Sequence, residues 1–266
     1  MSIKSTPGLY VRPRPPLSGM PEHALRPPVL YPSLVMLIPL LSFLLWLALA
    51  TWRGPKLSLK LRLGALGAFL NGLATLVAWA LSATGVWAAV PLVTLWEIYL
   101  SDPEVVLASA ISSIITGLLT LVLVLGYLSA GDRLLIDSPR LAGGLLALRG
   151  ALSITLGSTL LYALFCLQQD MLLPFAMAAR AIYPMALAYL MVMIAAWIGS
   201  AYALMEIGSR ADSRLAYAAS ALTFSTLVLG LPLLLAGLSP VLCLAVPGIT
   251  DIMVGAVFVR LSRGAG

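Results

Sequence analysis

Apolar residues in this chain come in long unbroken blocks, separated by short segments that hold nearly all the charge. Seven blocks stand out: Val29–Trp52, about Leu63 to Trp87, Val105–Leu128, about Gly150 to Leu167, a stretch within Leu172–Leu204, Leu215–Gly237, and Val241–Val259. An α-helix needs ~20 apolar residues to cross ~30 Å of hydrocarbon. Barrel strands would instead show alternation over segments of ~10 residues, and the blocks do not alternate. In lipid, a helix satisfies its backbone polar groups within the segment. The pattern therefore predicts an all-α polytopic membrane bundle of about seven transmembrane helices, forming one domain over residues 29–263. Residues 1–28 carry seven prolines and no periodicity, which predicts an extended, polyproline-like tail. The first block has 24 residues, longer than the ~7–15 of a secretory h-region, so it reads as a span and not a signal peptide.

Composition agrees. The 266 residues are 61% hydrophobic and 10% charged, with mean hydropathy +1.03. Soluble domains carry about 25% charged residues. The net charge of +6 has a pattern of its own. Segment 53–62 holds Arg53, Lys56, Lys60 and Arg62. Segment 129–149 holds Arg133, Arg140 and Arg149, segment 205–214 holds Arg210 and Arg214, and the C-terminus holds Arg260 and Arg263. The intervening segments 88–104, 168–171 and 238–240 hold no basic residue. Basic loops face the cytoplasm, which predicts a cytoplasmic C-terminus, an outer N-terminus and a multi-pass protein of the cell membrane. Lys4, Arg12, Arg14 and Arg26 in the tail run against that orientation, and the agreement among the loops outweighs them. The bilayer is the expected surrounding. Nucleic acid is not an expected partner, because no basic stripe with interleaved aromatics exists.

Small residues recur every four positions. The second span has Gly64, Ala68 and Gly72, with Gly67, Asn71 and Thr75 on an adjacent row; the third has Ser109, Ser113 and Gly117; the fourth has Ser153 and Gly157. Such rows let helix backbones approach closely. Ser109, Ser112, Ser113, Thr116 and Thr120 also form a hydroxyl stripe. Hydroxyls of this kind either line a wet path or return to the carbonyl four residues back. Asn71 is the one amide within a span, and an unpaired amide in hydrocarbon is costly, so it is expected to bond a neighbouring helix.

Asp251 is the sharpest feature. It lies nine residues before Arg260, ~13.5 Å along a helix and near the middle of a ~30 Å core. Carboxylates at that depth face a bundle interior or a cavity. Pro247 and Gly248 just before it disfavour a continuous helix. Two readings of Asp251 with Thr250 follow: a cap on a restarted helix, or a cation or proton site on a discontinuous helix. Arg180 is the candidate partner considered for Asp251, although it sits at least ~10 Å higher along the membrane normal and suits the outer headgroups better.

Other chemistry is missing from the pattern. The single histidine, His23, lies in the tail, no span contains a lysine, and no P-loop occurs. Haem ligation, a retinal-type Schiff base and an intrinsic ATPase are thereby excluded. Cys166 and Cys243 have no metal-ligand spacing and read as small buried hydrophobes. No cofactor and no metal is expected, and an enzyme is the less favoured class. Asn and Gln together number three; that scarcity fits a thermophile and equally any membrane chain. Two functions remain in view. One is a small-solute or ion transporter or channel, with Asp251 as coupling or binding carboxylate, Thr250, Pro247, Gly248 and Asn71 shaping the site, and Ser109, Ser113 and Thr116 facing it. The other is a non-catalytic integral subunit of a larger membrane complex, docked to partner subunits through its small-residue rows; a lone homo-oligomer would favour the transporter.

Overall fold

A computed structural model describes residues 56–83, 103–230 and 240–263. The expected tail and first span, and residues 84–102 and 231–239, lie outside the described residues. Within them the chain is helical, with no strand. The helices are α1 (Leu57–Ala83), α2 (Pro103–Leu134), α3 (Ser138–Gln168), α4 (Leu172–Arg210), α5 (Arg214–Ser225) and α6 (Pro240–Arg263). A π-helical turn, Thr226–Gly230, continues α5. Four segments are long and apolar enough to cross a membrane: Val106–Leu134, Ser138–Gln168, Leu172–Arg210 and Ala245–Arg263. The chain is a membrane protein built as a helical bundle.

Several helices run past the apolar blocks that announce them. The clearest case is α3, which starts at Ser138 and not near Gly150. Pro139 explains the start: its fixed φ and missing N–H suit the first helical turn. Arg149 therefore belongs to the body of α3 and not to a loop. A second difference is at Pro247, where α6 continues through the Pro-Gly pair without interruption. Pro184 likewise sits inside an unbroken α4. Each proline removes one helical hydrogen bond and leaves the rest of the ladder in place.

The helices follow one another around a closed ring. Each packs on the next in sequence, and α6 closes the circuit on α1. The turns at 135–137, 169–171 and 211–213 are three residues long, so the helices they join are antiparallel neighbours. Leu135, Asp170 and Asp212 take left-handed backbone angles there. One end of the ring gathers basic residues, with Arg133 donating to the Leu261 carbonyl from the last turn of α2.

The small-residue rows serve close packing, as their spacing predicts. The Ser153 hydroxyl on α3 donates to the Ser113 carbonyl on α2 at 2.8 Å. At the α1–α6 seam, a Cβ on Gly72 would lie 2.6 Å from the Gly248 carbonyl oxygen. At the α2–α3 seam, a Cβ on Gly117 would lie 2.7 Å from the Gly150 carbonyl oxygen. No side chain fits either gap. Below the α1–α6 contact, Phe258 meets Tyr127 edge to face, centroids 5.2 Å apart. Gly72→Ala is expected to cost about 1–3 kcal/mol, the range for overpacking, read as a lower melting temperature of the purified protein in detergent. An unchanged melting temperature would show that the seam yields freely.

Candidate functional site

All six described helices contribute to one cavity of about 690 Å³ at the centre of the ring. Its walls are mostly apolar, and its polar groups are few enough to be considered one by one.

Asp251 enters from α6, where it is half-buried and lines the cavity. Its carboxylate Oδ2 accepts a 2.7 Å hydrogen bond from Asn71 Nδ2 on α1. The pairing follows from the glycine contact described above. Asn71 precedes Gly72 and Asp251 lies three residues after Gly248, so the close approach brings two short side chains within reach. Asn71 thus bonds a neighbouring helix, as its cost in hydrocarbon requires, and its partner is the carboxylate itself. The Asn71 side chain is 2% exposed, and its Oδ1 has no hydrogen-bond partner among the described residues.

Continuity of α6 changes the role available to Asp251. Inside an unbroken helix the neighbouring backbone N–H groups are already bonded, so Asp251 is not the cap of a restarted helix. Thr250 is likewise committed to the backbone, its hydroxyl donating to the Val246 carbonyl at 2.9 Å. Pro247 lines the cavity with Thr250 and Asp251. Gly248 does not; it faces Leu76 and Gly72 on α1.

The other charged group in the cavity is Arg149 on α3. Its guanidinium sits beside the Tyr189 hydroxyl on α4 and within electrostatic reach of Asp251. The two charges make no direct ion pair. Among the described residues, the contacts within 4.0 Å between opposite charges are those of Arg140 with Asp132, at 3.0 Å, and with Asp137, at 2.8 Å. Arg149 and Asp251 thus line the same cavity without a contact within 4.0 Å. In ring order α5, α6 and α1 are consecutive, and α3 and α4 are consecutive on the other side, so the two charges stand on different arcs of the wall.

The hydroxyls sharpen this division. Thr75 on α1 donates to the Asn71 carbonyl at 2.9 Å, Thr223 on α5 to Ala219 at 2.8 Å, and Thr226 to Leu222 at 2.9 Å. All three line the cavity along with Thr250. A hydroxyl has one proton, and here that proton goes to the backbone. What these oxygens offer the cavity is lone pairs. The α5–α6–α1 arc is thus a wall of acceptors, with Asp251 as its charge, and the α3–α4 arc carries the cation.

The hydroxyl stripe of α2 divides. Ser112 and Thr116 line the cavity. Thr120 is buried and returns its hydroxyl to the Thr116 carbonyl at 2.8 Å. Ser113 faces the α3 seam, and Ser109, half-buried, does not line the cavity. Arg180 is exposed on α4 and is not part of the cavity wall; the arginine that faces Asp251 is Arg149. Reading the chain by hydropathy missed it by starting the fourth span at about Gly150 and leaving Arg149 in the segment before it. Two signals could have found it. The span so drawn has 18 residues, short of ~20, and the Ser138-Pro139 pair upstream is a helix start. Tyr127, Tyr189 and Trp197 also line the cavity, with no local signal to separate them from other buried aromatics.

No protein family, curated protein or solved structure matches the chain. The site's own geometry is what speaks for function.

The Asn71–Asp251 bond is directly testable. A hydrogen bond to a charged group is worth about 1.5–3 kcal/mol. Asn71→Leu and Asp251→Leu should each destabilise the protein, and the double variant should cost less than the sum, by roughly 0.5–3 kcal/mol in a double-mutant cycle. Additive losses would mean that the two side chains do not interact in the membrane.

Proposed function

We propose that this chain is a multi-pass protein of the cell membrane that binds a small polar solute in its central cavity and carries it across. Asp251 is the principal binding carboxylate. The observation that carries this reading is an intramembrane carboxylate and an intramembrane guanidinium that line one shared cavity and make no direct ion pair. Ionisable residues at that depth are costly, and they mark substrate or ion pathways in membrane proteins.

Depth supports the reading. Asp251 is nine residues before Arg260, and Asn71 is nine residues after Arg62, each ~13.5 Å along its helix. Arg149 is eleven residues into α3, ~16 Å from the same end. Three polar groups from three helices thus share one level, close to the centre of a ~30 Å core. In this reading the basic end of the ring faces the cytoplasm, and the expected first span, Val29–Trp52, completes seven.

Two measurements test it. In a background with Cys166 and Cys243 replaced by Ala, Asp170→Cys should react with a membrane-impermeant maleimide in intact cells. Asp212→Cys should react only after permeabilisation; the reverse pattern inverts the orientation. For transport, proteoliposomes would be assayed against labelled amino acids, sugars, amines and monocarboxylates. Asp251→Asn should lower the initial uptake rate of the accepted solute at least tenfold while the protein still melts cooperatively. Unchanged uptake removes Asp251 from the mechanism. Uptake of none of the solutes, with a partner protein co-purifying at fixed stoichiometry, would instead identify an integral subunit of a larger complex.

A further inference from the structure

The division of the cavity wall into an acceptor arc and a cationic arc has a consequence for what can occupy it. A site containing one fixed negative and one fixed positive charge is neutral overall. A solute with net charge of either sign meets one favourable and one unfavourable neighbour, so the second charge offsets part of what the first contributes. A solute that carries both charges meets two favourable ones.

We propose that the cavity is a binding site for a zwitterion with a primary ammonium at one end, an anionic oxygen group at the other and an apolar body between them. The assignment rests on reading the cavity as a solute site. The ammonium belongs at the α6–α1 corner. Asp251 supplies the countercharge there, and Asn71 Oδ1 is a buried acceptor with no partner among the described residues. A buried acceptor left unmade costs free energy, and an ammonium has three donors to offer. The oxygens of Thr75, Thr223, Thr226 and Thr250, their protons spent on the backbone, add lone pairs to the same arc. The anionic end belongs to Arg149, whose forked donors match a carboxylate or phosphate, with the Tyr189 hydroxyl beside it. Met193, Trp197 and Val254 supply apolar wall for the body. A volume of about 690 Å³ falls within the ~300–1,000 Å³ of small-molecule sites. A free amino acid and an aminophospholipid headgroup both present this chemistry.

The test is equilibrium binding, which does not depend on transport. Purified protein in phosphatidylglycerol nanodiscs, which contain no ammonium lipid, is titrated with L-leucine, with leucinamide (cation only) and with N-acetyl-leucine (anion only). Binding is followed by calorimetry and by thermal shift. Leucine should bind at least tenfold more tightly than either blocked analogue. Asp251→Asn should weaken leucine at least tenfold and leave N-acetyl-leucine the preferred ligand; Arg149→Gln should reverse the preference towards leucinamide. Should Arg149→Gln not fold, Tyr189→Phe serves, with a several-fold loss confined to leucine and N-acetyl-leucine.

A second nanodisc containing phosphatidylethanolamine separates the sources. Stabilisation by this lipid that is lost in Asp251→Asn, with no response to leucine, assigns the site to the headgroup and upholds the zwitterion. No response to leucine or to the lipid, or equal affinity for leucine and a singly charged analogue, overturns it. If one class of singly charged solute is then transported in an Asp251-dependent manner, the transport reading stands without the zwitterion. If leucine binds as described but no solute is taken up, the zwitterion site stands and transport falls.

Discussion

A carboxylate placed in apolar surroundings must be satisfied, and much of this bundle is arranged around how that is done. Asp251 takes one hydrogen bond from Asn71, and that bond requires α1 and α6 to touch backbone to backbone. Gly72 and Gly248 permit the contact. Bonds between helices are worth less in lipid than an unsatisfied polar group would cost, since the alternative state also finds partners. The seam's geometry is therefore enforced as much by packing as by polarity. Because α6 is also the helix that closes the ring on α1, the same contact completes the cavity wall.

Among the described residues satisfaction is incomplete: one donor for the Asp251 carboxylate, and none for the amide oxygen of Asn71. Arg149 shares the cavity yet does not collapse onto Asp251. A guanidinium and a carboxylate in contact would fill each other's bonding capacity and leave a closed, inert core. Held on separate arcs, they leave a polar gap in an otherwise apolar interior. The threonine hydroxyls follow the same logic, since back-bonding to the helix fixes their orientation and turns only acceptor character inward.

Much of the architecture is legible in the chain. The apolar blocks announce the helices, and the four-residue spacing of small side chains marks the seams where α1, α2, α3 and α6 meet. Asp251 is conspicuous because hydrocarbon penalises it, and Asn71 for the same reason. What escapes is which residues share a level. Arg149 resembles the other loop arginines until Pro139 is taken as the first turn of α3, and hydropathy alone ends a helix at its first charge. The partnership of residues 71 and 251, far apart in sequence, depends on ring closure, which no local pattern encodes. Helix-breaking chemistry misleads in the opposite direction: Pro247 and Gly248 look like a break, yet α6 continues through them as one helix.

That proline still leaves a mark. Without its N–H, the carbonyl of residue 243 lacks its helical donor, so α6 has one rung missing from its ladder, a turn away from Asp251. Next to it, α5 passes into a wider π turn at Thr226–Gly230, where the ladder is again irregular. Two adjoining helices thus have irregular hydrogen-bond ladders beside the cavity. Bending α6 at that level disturbs one backbone bond fewer than elsewhere along the helix, and the level is that of the Gly72–Gly248 seam, one turn from Asp251.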